Sequence, residues 1–588
     1  MKRKNLVFLC LISPVLVVGC KRNKQPYEDK EVNIYRKKVN NENVVDKKMS
    51  LRFYQSTPNV PYVSVPAYYK EFFAQDLTLV KEGSQFLYFN EFNACIAFDT
   101  KNNAFASSEL STFSSNPNFK SSTGKVFIKS DGAEYTDIHT KSIDLNKYSI
   151  ALYDDAFNAY APLSFLSCLF GGLETYDIAY NGKDIYVMDM SGLLGEETNF
   201  KYYGSAYQKE LNNVYKKRPD DVINYTYNEL CFVFDNLRGY TKQLHFGDDN
   251  LVNLGLDALL TQQHPIIKQY LLSKNKDDYY EGLFALFVGL SDGGHTGLLN
   301  SFSAFSDAIK QKSEKEFSDL QSYYVSSNTD YSLQLASFQV CREQVLDVSV
   351  KDNFYYLYNS TYSTAFIGFN SFDVDYDGWN KYYNGQGGVP VSTDTYAFIR
   401  DSLYKAKSDG AENVVLDLTS NTGGNSYALE GIVGLLNGGK SVLNYVNTFN
   451  DYHIKEKHLI DINLDGNFDE LDVVAANSLN FNYGVLTSRC AFSCGNLLPS
   501  ALKDLGYKVI GEKSGGGSCA ISIESTADGI PYVHSSYICF ENSAHENVDG
   551  GVPVDFTLVK KDPTFYYYDC RDFYDVQKIS NYLSSAYL

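Results

Sequence analysis

The amino-acid sequence predicts an α/β protein, because strand and helix patterns alternate from about residue 345 to the end. "STAFIGFNSF", "NVVLDL", "YGVLTS" and "KVIGE" are short apolar runs typical of buried strands. Amphipathic runs such as "DTYAFIRDSLYKAKSDG" and "NLLPSALKDLG" separate them. Earlier in the chain, short alternating runs predict a strand-rich accessory domain over residues 51–200, and helical apolar spacing predicts a helical segment over residues 205–340.

The N-terminus has the pattern of a secretory targeting segment. Lys2, Arg3 and Lys4 precede a short apolar run that ends at Gly19 and Cys20. We interpret residues 1–19 as a signal peptide and Cys20 as a lipidated cysteine, because "VVGC" resembles a bacterial lipobox. Residues 20–50 are rich in Lys, Asn and Glu and predict a flexible tether. The expected location is therefore the bacterial cell surface or the periplasm, on a membrane lipid anchor.

Length and composition restrict the class of protein further. A chain of 588 residues exceeds one core, so two to four domains are expected. The net charge of -19 disfavours nucleic acid or an anionic membrane surface as a partner. Without Cys10 and Cys20, nine of the 11 cysteines remain, and the sequence assigns no disulfide pairs. Cys490 and Cys494 lack a second ligand pair, which argues against a zinc site at that point.

Ser493 lies in "SRCAFSCGNLLPSALKDLG", directly before an apolar helical face that includes Leu497, Leu498 and Leu502. Backbone N–H groups at a helix start have no intrahelical acceptor, and they stabilise developing negative charge. A nucleophilic serine needs such donors for its oxyanion. The ordinary alternative for this position is an N-cap serine.

Two further stretches carry residues suited to the same chemistry. "VVLDLTSNTGGNS" places Gly423 and Gly424 at a strand-to-helix turn, where their N–H groups can line a site. A tight structural turn is the alternative, and the Gly-Lys-Ser/Thr of a phosphate-binding loop is missing. "FVGLSDGGHTGLL" places His295 in a loop after two glycines, from which it can reach another group. A structural histidine is the alternative there.

Taken together, the stretches resemble the family of tail-specific or C-terminal processing serine peptidases. "LSDGGHTGL" is similar to the family's Asp-Gly-His-Thr element, and "VVLDLTSNTGG" to its Asp-Leu-Arg-x-Asn-x-Gly-Gly strand and turn. "VLTSRCAFSCGNLLPSALKDLGYKVIGEKSGGGS" is similar to its nucleophile strand and helix, and "GGVPVDFTLV" to its closing Gly-Val-x-Pro-Asp segment. The resemblance covers roughly residues 240–588. It implies a ClpP/crotonase-like catalytic domain in residues 345–588, preceded by the helical segment.

The resemblance also implies roles for individual residues. Ser493 would be the nucleophile, and Cys494 N–H together with Gly423 or Gly424 would bind the oxyanion. One branch of the family, similar to the tricorn core protease, uses a histidine from the Asp-Gly-His-Thr-like element as base, and His295 fills that place. No cofactor for catalysis is implied.

The other branch of the family uses a lysine as base. The matching position here is Gly517, and Lys513 lies four residues earlier. A carboxylate should orient the histidine in the first branch, and Asp549, Glu546 and Glu541 are the candidates near the closing motif. Asp549 is favoured.

The chain departs from the family pattern at three places. Cys494-Gly495-Asn496 stands where Ala-Ser-Glu is usual, and Thr419 stands where the strand motif has Arg. No PDZ-like insertion is evident between residues 300 and 350.

A separate motif, "DINLDGNFDELD", predicts a calcium loop inserted near 461–472 in the catalytic domain. Oxygen ligands at alternate positions around a mid-loop glycine suit a hard cation. An acidic surface turn is the alternative. The predicted ligands are Asp461, Asn463, Asp465, Asn467, Asp469 and Asp472.

The best-supported function is a serine-type peptidase, a lipoprotein hydrolase that cleaves extracytoplasmic proteins or peptides through an acyl-enzyme. The alternative is a catalytically inactive relative that binds peptides or polymers at the cell surface. A calcium-dependent carbohydrate-binding lipoprotein explains the calcium loop and the aromatic content, but leaves the ordered motifs unexplained.

Overall fold

The computed structural model describes most of the chain. The described residues are 25–39, 42–114, 126–136, 138–171, 176–189, 217–239, 244–299, 315–348, 353–561 and 567–587. The predicted signal peptide and Cys20 lie outside them, as does the predicted helical segment before residue 217. Among the helices that are described, none combines the length and apolar character needed to cross a membrane.

Strands and helices both occur throughout the chain. The strands are β1 Tyr27–Val39, β2 Glu42–Tyr54, β3 Thr57–Ser64, β4 Thr78–Glu82, β5 Gln85–Phe89, β6 Cys95–Asp99, β7 Ala104–Ser107, β8 Ile128–Tyr135, β9 Lys141–Asp144, β10 Tyr153–Asp154, β11 Ala159–Pro162, β12 Tyr176–Tyr180, β13 Ile185–Asp189, β14 Gly297–Leu298, β15 Phe354–Asn359, β16 Thr364–Phe369, β17 Asn413–Asp417, β18 Lys440–Asn447, β19 Tyr452–Ile460, β20 Asn482–Thr487, β21 Lys508–Gly511, β22 Cys519–Ser525, β23 Pro531–Glu541 and β24 Phe556–Thr557. The helices are α1 Val65–Phe73, α2 Leu163–Phe170, α3 Asp220–Asn236, α4 Asp248–Leu254, α5 Leu256–Gln263, α6 Pro265–Leu271, α7 Lys276–Gly289, α8 Lys315–Leu346, α9 Tyr376–Tyr383, α10 Thr395–Asp409, α11 Ser426–Leu436, α12 Glu470–Asn477, α13 Cys494–Asp504 and α14 Val576–Ala586.

The C-terminal region is built on a six-stranded sheet, and the mixed α/β class predicted from the sequence is confirmed. Its strand order is β15-β16-β17-β20-β21-β24, and all neighbours are parallel except β15 and β16. Within β17, Val414 and Leu416 pack in one core with α10, α11 and α13. Val415 faces a second core with α8 and α14. The "NVVLDL" run is continuously apolar because helices cover both faces of the sheet.

The strand-rich N-terminal region is not an accessory unit with its own core. It forms a seven-stranded and a five-stranded sheet, but β8 leaves them and pairs with β19 in a third sheet. One apolar core joins the N-terminal strands, helices α3, α5 and α7, and the β22–β23 hairpin. The predicted boundary near residue 200 therefore does not separate two cores, since apolar faces on both sides of it are buried together.

The predicted tether over residues 20–50 is also corrected by the structure from residue 27 onward. β1 and β2 pair as a long antiparallel hairpin in the middle of the seven-stranded sheet. Val32, Ile34 and Leu51 are buried, while Lys47 and Lys48 are exposed. Burial alternates along Val32, Asn33 and Ile34 and along Met49, Ser50 and Leu51, with the period of two that a half-buried strand requires.

Candidate active site

Ser493 stands at the junction between β20 and α13, in a backbone conformation that few non-glycine residues adopt. Its φ is 55° and its ψ is -127°, and its side chain makes no capping hydrogen bond to the helix. An N-cap serine instead has extended backbone angles and accepts a hydrogen bond from the first turn. The strained backbone turns the half-buried Ser493 side chain out of the helix start, a geometry that clusters at functional sites.

Two loops hold the segment before the helix on either side. Phe492 N–H donates to Asn421 O at 3.0 Å, and Ser493 N–H donates to Gly516 O at 2.9 Å. Asn421 is fully buried and its side chain bonds Phe369 O and Gly423 N–H, both at 2.9 Å. No role for Asn421 was predicted from the sequence. In the structure, its hydrogen bonds connect the Gly423–Gly424 turn to the segment that carries Ser493.

The predicted oxyanion donors lie around Ser493. Gly423 is so close that a Cβ built on it would lie 3.1 Å from Ser493 Oγ. The Gly423 N–H is already bonded to Asn421 Oδ1. Within the described residues, neither Gly424 N–H nor Cys494 N–H donates to a backbone carbonyl. These two amides, at the turn and at the first position of α13, are the candidate donors to an oxyanion.

The side chain next to the nucleophile is itself a thiol. The Cys494 Sγ donates to Gly424 O at 3.2 Å and is buried. Burial, reinforced by the charge of Glu430, raises the pKa of Cys494 to about 12. The thiol therefore stays protonated at neutral pH, which argues against Cys494 as a nucleophile.

His295 lies beside the nucleophile segment. Its ring meets the ring of Phe492 edge-on, with centroids 4.9 Å apart. The residue is 3% exposed, and neither ring nitrogen has a hydrogen-bond partner. No hydrogen bond joins the ring to Ser493 Oγ. Burial lowers the pKa of His295, against the opposing influence of Asp292 and Asp549. The imidazole is therefore neutral near pH 7, the state that a general base requires.

Two buried aspartates hold the surroundings of His295. Asp292 Oδ1 accepts the N–H groups of His295 and Thr296 at 3.0 and 2.8 Å, and its Oδ2 accepts the Thr296 and Ser535 hydroxyls. Asp292 thus fixes the loop that carries the histidine, a role the sequence analysis missed. Asp549 Oδ1 accepts the Ser518 N–H at 2.8 Å.

The other two candidate carboxylates are engaged elsewhere. Glu541 pairs with His453 and His545, and Glu546 accepts a hydrogen bond from Asn542 at 2.9 Å. Of the three candidates, only Asp549 influences the pKa of His295.

The position that carries a lysine in the other branch of the family has no room for a side chain. Gly517 has a φ of +83°, and a Cβ on it would lie 2.6 Å from the Phe492 ring. Lys513 is exposed, and its Cε lies against the backbone at Gly551. Phe492 therefore fills the space that a lysine at position 517 would need.

Two departures from the family pattern are matched by local hydrogen bonds. Asn496 is fully buried, bonds Val548 O at 3.1 Å and accepts the Ser514 hydroxyl at 2.7 Å, which ties the nucleophile helix to the closing motif. Thr419, which stands in place of Arg, donates hydrogen bonds from its N–H and its hydroxyl to the Asp417 carboxylate. The buried Arg342 of α8 lies 3.6 Å from the same carboxylate and supplies a positive charge there.

The predicted calcium loop adopts a tight turn with Gly466 at a φ of +83°. Asp461 is buried and accepts the Gly466 N–H at 2.8 Å, and Asp472 accepts the Ile462 and Asn463 N–H groups at 2.7 and 3.1 Å. Asp465 and Asp469 are exposed. Among the described residues, the His, Cys, Asp and Glu clusters tight enough to share an ion lie elsewhere, and the Asp461 and Asp472 carboxylates bond backbone N–H groups of the loop.

A serine at a strained strand-to-helix turn, two available amides and a neutral buried histidine define the class of site found in serine peptidases. Residues 364–556 match the sequence model of peptidase family S41, and this segment contains Ser493, whereas His295 precedes it. The match supports a relationship to S41 peptidases and, in general terms, a serine peptidase. No curated protein matches the chain.

Several solved structures are similar at low identity. A candidate peptidase from Parabacteroides merdae has 14% identity and a TM-score of 0.34, over 50% of this chain and 81% of its own. A lipoprotein from Streptococcus agalactiae has 14% identity and a TM-score of 0.32, over 63% of this chain and 97% of its own. A photosystem II D1 C-terminal processing protease has 19% identity and a TM-score of 0.24, over 33% and 42%.

Proposed function

We propose that this protein is a serine peptidase that hydrolyses peptide bonds of extracytoplasmic proteins or peptides, on a ClpP/crotonase-like fold. The observation that carries the proposal is the backbone of Ser493, with a φ of 55° at the first turn of α13 and a side chain that caps nothing. A serine that served only to begin the helix would gain nothing from this strained conformation.

In the proposed reaction, Ser493 Oγ attacks the substrate carbonyl carbon and His295 takes the serine proton. Negative charge develops on the carbonyl oxygen, and the N–H groups of Gly424 and Cys494 stabilise it. His295 then returns the proton to the leaving amine, which produces the acyl-enzyme on Ser493. Water, activated by the same imidazole, releases the acyl group. Asp549 stabilises the positive imidazolium in both steps.

The proposed base and nucleophile are not yet hydrogen-bonded. Both nitrogens of the buried His295 ring lack partners, so the ring gives up no existing bond when it turns toward Ser493. We propose that substrate binding brings the two groups into hydrogen-bond distance, since catalytic bonds are often loose in substrate-free sites.

A fluorophosphonate that reacts with activated serines tests this assignment directly. We expect the wild-type chain to be labelled at Ser493, and Ser493→Ala to abolish the label. Ser500→Ala is the matched control, because Ser500 is buried on the same helix and has no proposed catalytic role. His295→Gln should slow both labelling and peptide turnover by at least about 100-fold, as for loss of a general base. Normal labelling of His295→Gln would contradict the assignment of the base.

The alternative function is a cell-surface protein that binds peptides or polymers without cleaving them. The missing hydrogen bond between His295 and Ser493 and the Cys494-Gly495-Asn496 sequence favour it. A folded wild type that is not labelled, cleaves no peptide library and still retains peptides would establish this alternative.

We further propose that Cys20 carries the lipid anchor and that the loop 461–472 binds a structural Ca²⁺. Cys20→Ala should move the protein from the membrane fraction to the soluble fraction. Ca²⁺ should raise the melting temperature of the wild type by mass action, and Asp465→Ala should remove that rise. A melting curve that is indifferent to chelator would contradict the calcium site.

A further inference from the structure

A second group of reactive side chains lies at the end of β23, away from Ser493. His453 of β19 and His545 of the loop after β23 both direct Nδ1 at one oxygen of Glu541. The Nδ1–Oε1 distances are 2.7 Å for His453 and 2.5 Å for His545. The two imidazole rings are 4.5 Å apart. The three ligand atoms lie within 4.8 Å of one another, close enough to share one ion.

The chemistry of this cluster is that of a transition-metal site. Imidazole nitrogen and carboxylate oxygen are the ligands that Zn²⁺ and related divalent ions take. Three protein ligands leave one coordination position open, as in sites with two histidines and one glutamate. The Glu541 side chain is 3% exposed, whereas those of His453 and His545 are 38% and 55% exposed. The cluster therefore has a rigid buried carboxylate at its base and a path to solvent above it.

A tight loop holds His545 over Glu541. Asn542 Oδ1 accepts the N–H groups of Ala544 and Glu546 at 3.0 and 2.9 Å, and Asn542 O accepts the His545 N–H at 3.0 Å. His545 itself lies in the left-handed backbone region, with a φ of 62°. The imidazole is thus pre-positioned by backbone hydrogen bonds, which reduces the entropy lost when a metal binds.

The open side of the cluster faces a cavity of about 490 Å³. Its lining includes His453, His545, Lys455, Asn437 and Phe540. This volume is in the range of pockets that hold small molecules. The lining also carries charges of both signs, from Lys455, Glu134 and Asp504, so a ligand in the cavity would meet the open coordination position beside charged side chains.

We propose that His453, Glu541 and His545 bind a divalent transition-metal ion of the Zn²⁺ type, with an exchangeable position that opens into this cavity. The site is independent of the proposed peptidase chemistry, because none of its residues belongs to the serine site.

Metal binding to the purified full chain, after removal of bound metal by a chelator, tests the proposal. The chain is dialysed against Zn²⁺, and the bound metal per chain is measured across Zn²⁺ concentrations. Co²⁺ is added in a second experiment, in which visible absorption reports nitrogen and oxygen ligation. We expect one tight Zn²⁺ in the wild type. His453→Gln and His545→Gln should each weaken it by at least about 100-fold, since even changes to groups behind the ligands cost about 10–100-fold.

Control variants separate this site from other binding. His139→Gln removes an exposed histidine outside the cluster, and it should bind Zn²⁺ as the wild type does. His458→Gln alters the second cluster of possible ligands, Glu430, Glu456 and His458, and should also leave binding unchanged. Ser493→Ala should bind the metal normally, whatever becomes of the peptidase proposal.

Two results would overturn the proposal. The first is a wild type that binds Zn²⁺ no more tightly than the His453→Gln/His545→Gln double variant. That result would mean that the two histidines serve only as hydrogen-bond partners of the buried Glu541 carboxylate. The second is loss of the metal in His458→Gln and its retention in His545→Gln. The test relies on His545→Gln because His545 is more than half exposed on a loop, and this substitution is compatible with folding. A substitution of the buried Glu541 could unfold the chain and is not needed.

Discussion

Replacement of Gly423 by alanine would shift the proposed nucleophile, Ser493, although none of the proposed catalytic side chains is itself changed. Gly423 has a φ of +104°, and a Cβ there would lie 2.5 Å from Ser493 Cβ and 2.9 Å from Phe492 O. A carbon that close to a backbone oxygen and another carbon cannot be accommodated without movement. We expect the turn and Ser493 to separate, which removes the serine from the amides of Gly424 and Cys494.

A second glycine separates the effect of the clash from the backbone penalty of placing alanine at a positive φ. Gly506 has a φ of +89°, and nothing lies within 4 Å of a Cβ built on it. Gly506→Ala therefore carries only the backbone penalty of a left-handed alanine, about 1–2 kcal/mol. Gly423→Ala carries a similar penalty plus the clash. Loss of one oxyanion donor slows catalysis by about 10²–10³-fold, so labelling of Gly423→Ala should be at least about 100-fold slower than that of Gly506→Ala.

The assay is the second-order rate constant of fluorophosphonate labelling, with thermal melts of both variants to compare their stability. The melting temperatures of Gly423→Ala and Gly506→Ala should be lowered by similar amounts if local movement of the turn relieves the clash. Equal labelling rates for the two variants would refute the reasoning, because they would mean that Gly423 does not set the position of Ser493.

Three further predictions concern ionisation and the thiols. Because burial lowers the pKa of His295, the labelling rate should rise with pH with a midpoint below the ordinary value of 6.5; a midpoint above 6.5 would contradict this. Burial raises the pKa of Asp177 to about 7 and that of Glu229 to about 8. From their ordinary values of 3.8 and 4.5 up to these pKa values, the folded state holds protons that the unfolded state releases. The free energy of unfolding should therefore fall as pH rises, by about 1.4 kcal/mol per pH unit for each group. Urea denaturation should show a flatter pH slope for Asp177→Asn and Glu229→Gln, and unchanged slopes would count against the raised pKa values. Cys519 Sγ and Cys539 Sγ lie 2.7 Å apart on paired strands, so refolding of the denatured chain with oxidised glutathione should join them, releasing two reduced glutathiones. Thiol titration of the denatured chain should then find two fewer thiols than before oxidation, and Cys539→Ser should prevent the loss.

The central sheet was predictable from the sequence because its signals are local. Strands β16, β17, β20 and β21 are short apolar runs, and Gly410 ends α10 in the left-handed conformation that the sequence pattern indicates. The hairpin of β1 and β2 was not predictable in the same way. Its apolar residues are spread thinly among lysines, and they become a core face only when β3 and β13 pack beside them.

The residues of the candidate active site were predictable from the sequence, but their arrangement in space was not. The order of the motifs indicated Ser493, His295 and the Gly423–Gly424 turn. The positive φ of Ser493 and the exclusion of a side chain at Gly517 by Phe492 depend on contacts between segments far apart in sequence, which no local pattern encodes. The cluster of His453, Glu541 and His545 was hidden for the same reason, because its members have no characteristic spacing.

The pairing of β8 with β19 has a consequence for the order in which the protein can fold. Residues 128–135 must wait for residues 452–460 before their strand has a partner. Contacts of such long sequence separation form late and slow the folding of the whole chain. During synthesis, the N-terminal half would therefore leave the ribosome with strand β8 unpaired. Neither the core nor the serine site could be completed until nearly all of the chain had emerged, so a partly made molecule would carry only part of the proposed active site.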